Sequence, residues 1–397
     1  MPETGTTTAP DRAALRAMLT ELAAIERPTA SPGEREAATW IAAHLSELGA
    51  DARLEEENSN GGYWWPLGLA AGAGVAAGLL ARRGRRALAV GLGAAACAAA
   101  IDDLPPRSRK LRSLLPKRPA CNVVAELGPP EAERTVVLVA HHDTAHSGLV
   151  FHPAIPGIAD RLGFIERNDT SPPLMWPVVG GPGVVAAGAL VGSRALVRLG
   201  TMLSAGSAAA MAEIGARRSV PGANDNATGV VAMLAVARAL AERPTESVRV
   251  TLVSTSEEAT CEGMHRFAAR HFPSLPREDT FFVTIDTVGS PHPCVLRGEG
   301  MFGVKEYPAE ALAIIDGLAE ELGISLFPNL RLRNASDGVY PLSSGYPCAT
   351  ICSVTDLKQP ANYHWPTDVP EHVDYGTLAD TIRLSEAMIR RLDERWL

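Results

Sequence analysis

The sequence predicts an α/β protein: a mixed, mostly parallel central sheet flanked by helices, joined to a helical subdomain of two apolar hairpins. Three observations carry this reading. Short apolar runs (Thr135–Ala140, Val248–Ser254, Thr280–Ile285, Ala349–Val354) alternate with segments of helical period, as in a sheet covered on both faces. Residue types that bind metal stand where several of those runs end. Two pairs of long uncharged segments, each joined by an arginine-bearing turn, interrupt the alternation.

Asp11 to Leu48 reads as two amphipathic helices, with Leu15, Met18, Leu19 and Leu22 at helical spacing. Pro28 to Gly33 breaks them. Ser31-Pro-Gly-Glu34 is an N-cap with an acid in the first turn, and Gly49 closes the second helix. Asp51–Glu56 is a short strand. From Trp64 to Ala81 no residue is charged, Arg82-Arg-Gly-Arg-Arg86 turns the chain, and Ala87–Ile101 is again uncharged. Asp102 to Pro119 is basic and Pro-rich and reads as a surface linker. Asn122–Leu127 and Thr135–Ala140 are strands around a Gly-Pro-Pro turn, and the second delivers His141-His-Asp-Thr144. An insert follows from Ala145 to about Val220. It is irregular from Gly148 to Pro173, then forms a second apolar hairpin from Leu174–Gly192 and Leu199–Ala212 around Arg194 and Arg198. Pro221–Gly229 is a polar loop before a helix, Val230–Ala241. Thr251–Glu258 is a buried strand ending in two carboxylates. His265–His271 is helical. Thr280–Ile285 ends at Asp286, Ala309–Leu322 is a helix closed by Gly323, and Ala349–Val354 is a strand. Tyr363-His-Trp365 lies in a loop, and Tyr375–Leu392 is the last helix.

The formal charge of −8 argues against a nucleic-acid partner. The six cysteines include no C-x-x-C pair, so neither a zinc knuckle nor a disulfide framework is expected, which fits a reducing compartment. Met1–Arg12 is polar and Thr-rich, unlike a signal peptide.

A membrane-spanning helix needs about 17–25 apolar residues. Trp64–Ala81 and Leu174–Gly192 meet that length, whereas Ala87–Ile101 and Leu199–Ala212 are short. Gly68/Gly72, Gly74/Gly78 and Gly188/Gly192 supply the small-residue spacing that lets helices approach in a bilayer. Tyr63, Trp64, Trp65 and Trp176 stand where interfacial aromatics belong. The expectation is a membrane protein of the bacterial inner-membrane type. Both hairpins return the chain to one side, so its soluble parts share a compartment, here read as cytoplasmic. The alternative is a soluble helical subdomain packed in water.

Imidazole and carboxylate are zinc ligands. A two-metal hydrolytic centre needs a bridging carboxylate, terminal ligands and a base to take a proton from water. His141-His-Asp143 after a strand, Gly222-Ala-Asn-Asp-Asn-Ala-Thr-Gly229 before a helix, Glu257-Glu258 after a strand, Asp286 after a strand and Tyr363-His364 near the end form such a set. Each element alone is weak; their joint order is not.

With these motifs the chain resembles the di-zinc aminopeptidase family of clan MH, which includes bacterial leucyl aminopeptidases, glutamate carboxypeptidases and endoplasmic-reticulum membrane metallopeptidases. The resemblance runs from about Asp11 to the end, outside the two hairpins. It implies a zinc aminopeptidase/phosphorylase-hydrolase-like fold, two zinc ions, and an exopeptidase that removes N-terminal residues of peptides through a water bridged by the ions. It implies His141 and Asp286 as ligands of one zinc, Glu258 and His364 as ligands of the other, and Asp225 as the bridge. Asp143 would orient His141, and Glu257 would be the general base. A cis peptide would follow Asp225. Substrate-binding residues are not implied; Arg331 and Arg333 are candidates for holding a carboxylate. Glu262-Gly-Met264 and Ser336-Asp-Gly338 depart from the family pattern, as does the long insert, expected to restrict substrates to short or membrane-presented peptides.

The expected organisation is a zinc peptidase domain from residues 11–62, 119–150 and 216–397. The first hairpin occupies 63–102, a basic linker 103–118, and a lid-like insert 151–215 with its hairpin at 174–212. The competing readings are a carboxypeptidase, a one-zinc glutaminyl cyclase, or an inert membrane-embedded peptide-binding module.

Overall fold

The computed structural model describes residues 11–163, 165, 169–256 and 260–397. Its strands are β1 (Arg53–Ser59), β2 (Arg118–Leu127), β3 (Arg134–His141), β4 (Val248–Thr255), β5 (Thr280–Ile285), β6 (His292–Val295), β7 (Gly298–Glu299), β8 (Lys305–Glu306), β9 (Arg331–Leu332) and β10 (Cys348–Val354). Seven form one sheet in the order β1-β2-β4-β3-β5-β10-β6, and β8-β7-β9 form a small second sheet. Four central strands, β4, β3, β5 and β10, run parallel, with antiparallel partners at each end. The expected mixed, mostly parallel sheet is therefore present.

Alternation along β3 shows why the strand is buried. Val136, Leu138 and Ala140 face one core; Val137 and Val139 face the other. The first core is covered by α1 (Arg12–Ala24), α2 (Pro32–Glu47), α8 (Thr228–Glu242), α10 (Ala309–Leu322) and α12 (Tyr375–Glu394), the second by α9 (Glu262–His271) and α11 (Val339–Ser344). Ser31 caps α2 by accepting from the Glu34 N–H, and Gly49 follows in the left-handed region at φ +84°.

The apolar hairpins are α3 (Trp64–Arg82) with α4 (Arg86–Asp103), and α6 (Trp176–Val191) with α7 (Arg194–Ala216), and the four helices pack as one bundle. Glycines allow the approach: a Cβ on Gly200 would stand 2.5 Å from Val185 N and 2.7 Å from Gly181 O. Two expectations need correction and a third needs an addition. The fourth segment is not short, because Ser193 caps a helix that starts at Arg194 and runs 23 residues. The first part of the insert is not irregular throughout: Ala154–Arg161 forms helix α5. The 103–118 linker runs at the surface for most of its length but is anchored by two buried arginines, Arg109 and Arg112, which are 4 % and 1 % exposed. Arg112 donates to both carboxylate oxygens of buried Asp103 (3.0 and 2.8 Å) and lies 3.5 Å from Glu262.

Candidate metal centre

Parallel strands end on one edge, and ligand-bearing loops collect in the crevice there. His141 is the last residue of β3, and Asp286 follows β5. Asp225 sits in the loop before α8, and His364 follows β10 in a left-handed conformation (φ 49°). His141 Nε2 lies 3.4 Å from Asp225 Oδ1 and 3.8 Å from Asp286 Oδ1. His364 Nε2 lies 3.2 Å from Asp225 Oδ2. The two oxygens of Asp225 thus face two different imidazoles. His141, Asp225 and Asp286 each offer an atom within 4.8 Å of the others, a group suited to a metal ion.

The chemistry of the set tests that suitability. Both ring nitrogens of His141 and both oxygens of Asp225 are buried without a hydrogen-bond partner among the described residues. Buried polar atoms are ordinarily satisfied, so such a cluster fits a missing cation. Burial disfavours charge on His141, yet Asp143, Asp225 and Asp286 hold its imidazole well above the ordinary range. Asp225 is pulled low despite its burial by His141 and His364. Carboxylates that charge an adjacent buried imidazole create the negative potential in which a metal ion binds.

Positioning groups surround the ligands. Asp143 Oδ1 is 3.6 Å from His141 Nδ1, and its other oxygen accepts from Thr29. Asp368 accepts from the backbone N–H of Asn224 (2.7 Å) and of Asp225 (3.0 Å); burial raises its carboxyl to about 7. The fully buried Arg27 donates to the carbonyls of His142 (2.7 Å), Pro221 (2.8 Å) and Gly222 (2.7 Å), tying the His141 loop to the Asp225 loop. The peptide between Asp225 and Asn226 is cis, as expected. Asn226 donates to Ile285 O and accepts from Thr287 N–H (both 2.9 Å), fixing the segment that bears Asp286. His142 turns away to Ser254 (3.0 Å), and burial pushes its ring down to about 4.

Glu257 and Glu258, expected as base and ligand, lie outside the described residues. On either side, Ser256 donates its N–H to Asn122 Oδ1, and Asn122 donates to Gly263 O (both 3.0 Å).

Beside Asp286 opens a cavity of about 90 Å³, lined by Leu296, Leu330, Leu332 and Tyr363, with Ser171 and Leu174 contributed by the insert. The insert also sets Phe151 edge-on to His364 at 4.5 Å. Arg331 is paired with Glu306 (2.8 and 3.0 Å), and Arg333 lies 5.3 Å above the Trp176 ring, so both are engaged within the protein.

Sequence reading missed Arg27, Asn122, Asn226 and Asp368 as positioning groups. For Asn226 a signal existed, since it stands in the motif around Asp225, and Asp368 follows His364 by only four residues. Arg27 and Asn122 carried none.

The profile of peptidase family M28 matches residues 207–389. Over these residues, somewhat under half of the chain, the sequence is similar to that family, in line with the resemblance drawn from its motifs. Solved structures share the fold across almost the whole chain. Tannerella forsythia glutaminyl cyclase is 17 % identical, with a TM-score of 0.58 and 96 % of this chain and 98 % of that one covered. A leucine aminopeptidase precursor from Bacteroides thetaiotaomicron is 14 % identical, with a TM-score of 0.57 and the same coverage. A Zn-dependent exopeptidase from Parabacteroides distasonis is 14 % identical, with a TM-score of 0.55 and 98 % and 99 % covered. At these identities the likeness is one of fold. No curated protein matches the sequence.

Proposed function

We propose that this chain is a zinc-dependent exopeptidase, an aminopeptidase that removes N-terminal residues of peptides using two zinc ions. The observation that carries the reading is Asp225, whose oxygens each face a separate histidine, the disposition of a carboxylate shared between two ions. His141 and Asp286 would hold one ion with Asp225; His364 and Glu258 would hold the other. Zinc at such a site supplies Lewis-acid polarisation of a carbonyl and acidifies water. The chain's own residues do the rest. Asp143 orients His141, Asp368 and Asn226 fix the loop of Asp225, and Glu257 takes a proton from water and returns it to the leaving amine. The cavity beside Asp286 receives an apolar side chain.

The test is hydrolysis of aminoacyl chromogenic substrates with and without chelator, compared with Glu257→Gln, and with zinc measured in the purified protein. Chelator-sensitive cleavage, lost by at least about 10²-fold in the variant, is expected. A cyclase remains the second reading, because that name is borne by a structure of the same fold. One zinc per chain with glutamine cyclisation and no peptide cleavage would establish it instead.

The bundle supports a second part of the proposal, that the chain is embedded in a membrane. Helices α3 and α7, of 19 and 23 residues, are long and apolar enough to cross one. The bundle's outer surface is apolar rather than polar: Leu190, Val191 and Met202 are 70 % or more exposed. A helical subdomain in water would turn charged residues outward on those faces.

A further inference from the structure

We propose that the far tip of the bundle is a binding site for the phosphate of anionic lipid headgroups, an inference that rests on the membrane reading above. Both hairpin turns end there. Between them lies a cavity of about 320 Å³ whose lining includes Arg82, Arg86, Arg194 and Arg198, together with Gly192 and Ser193. That is about ten times the volume a water molecule occupies in the liquid, enough for more than a lone small ion.

The site is built across the two hairpins. Gly192 ends α6 at φ +74°, and the Arg86 guanidinium of the other hairpin lies against it, 3.3 Å from where a Cβ would stand. The absence of that Cβ gives Arg86 its place in the cavity. Helices α4 and α7 both begin at this end, at Arg86 and Arg194, so their positive dipole ends add to the guanidinium charge.

Among the described residues the charge has no ion-pair partner. The segments 64–101 and 174–212 contain no Asp or Glu. None of the four arginines makes an ion pair among the described residues, unlike Arg35, Arg112, Arg217, Arg297 and Arg331. Arginines that served only the fold would be paired with backbone or acid. Four exposed arginines lining one cavity suit an oxyanion that accepts several bidentate hydrogen bonds.

The apolar belt names the source of that oxyanion. Leu79, Leu88, Leu190, Leu196 and Leu199 are exposed on the turns of helix next to the arginines. The cavity therefore sits where hydrocarbon gives way to headgroups. A net-negative phosphodiester headgroup fits it; the quaternary amine of a choline headgroup would be repelled by the same charges.

The experiment uses the full chain, purified in detergent and moved into nanodiscs of phosphatidylcholine alone or of phosphatidylcholine with equimolar phosphatidylglycerol. Native mass spectrometry then counts the lipids retained. The wild type is expected to retain phosphatidylglycerol over phosphatidylcholine by about tenfold or more. The variant R82Q/R86Q/R194Q/R198Q should lose that preference while keeping its zinc content and melting temperature. Equal retention of both lipids by the wild type, or an unchanged preference in the variant, overturns the headgroup site while leaving the membrane reading intact. Binding of inorganic phosphate that displaces phosphatidylglycerol would assign the cradle to a soluble anion and overturn the lipid. A chain that stays monodisperse without detergent and enters no disc overturns the membrane reading and the site together.

Discussion

At the scale of single residues, the site depends on groups that never touch the metal. Asp368 accepts two neighbouring backbone N–H donors from Asn224 and Asp225. In Asp368→Asn the new amide must present its own N–H to one of those donors, so the loop of Asp225 shifts. Zinc affinity, measured by competition with a chromogenic chelator, is expected to fall about 10–100-fold. Undiminished affinity would remove Asp368 from the positioning set. Far from the site, Glu55 shows a charge that matters to stability. Burial opposes its ionisation, but His271 (2.9 Å) and Arg270 (2.8 Å) outweigh burial and bring it from 4.5 to about 2. A depressed folded-state pKa stabilises the fold above the unfolded value and stops doing so as pH falls through the folded one. Arg270 is 43 % exposed, so screening reduces the gain. Glu55→Gln should lower unfolding free energy by about 1–2 kcal/mol at neutral pH. In urea titrations the gap to the wild type should narrow as pH falls from 4.5 towards 2. A gap independent of pH would show that lost packing, not charge, is responsible.

Elements differ in how far the sequence discloses them. Thr280–Ile285 and Ala309–Leu322 are found with the boundaries read from the chain, because Asp286 and Gly323 end their periodicity abruptly. The two-residue strands β7, β8 and β9 have no period to read, and α11 is too short to show one. Five of the candidate site residues, His141, Asp143, Asp225, Asp286 and His364, are gathered in one crevice, because strand ends and loop motifs are local features. Arg27 and Arg112 were illegible for the opposite reason. A charged residue reads as solvated until its partner is known, and Glu262 is 150 residues from Arg112. That ion cluster joins the end of α4 at Asp103 to the start of α9. Arg112→Ala removes the guanidinium that pairs with the buried Asp103 carboxylate, while Glu262 keeps Arg266 at 3.2 Å, and is expected to cost about 3–5 kcal/mol. Arg112→Met fills the volume but not the charge, so in urea titrations of both variants it should recover little of that loss. Full recovery by methionine would mean that the arginine acts through packing.

At the scale of the whole molecule, the bundle relates the active-site crevice to the proposed bilayer. Helix α3 starts beside the enzyme, where the Trp64 ring packs on His146 at 4.3 Å, and ends at Arg82 in the arginine tip. With 19 residues at about 1.5 Å each it spans about 28 Å, close to the roughly 30 Å of bilayer hydrocarbon. Helix α7 returns to the enzyme, where Glu213 near its end accepts from the Leu149 N–H (3.0 Å), two residues before Phe151 meets His364. The rim of the crevice and the arginine tip thus lie at opposite faces of the proposed membrane layer. This arrangement is read by cysteine labelling in sealed vesicles. The native cysteines are buried or partly so, which keeps their background low. Arg83→Cys at the tip and Glu56→Cys on the enzyme should react with a membrane-impermeant maleimide from opposite sides, and the side that labels Glu56→Cys gives the compartment of the catalytic crevice. If both positions label from the same side, the bundle does not span the bilayer, and its apolar faces must be covered in some other way.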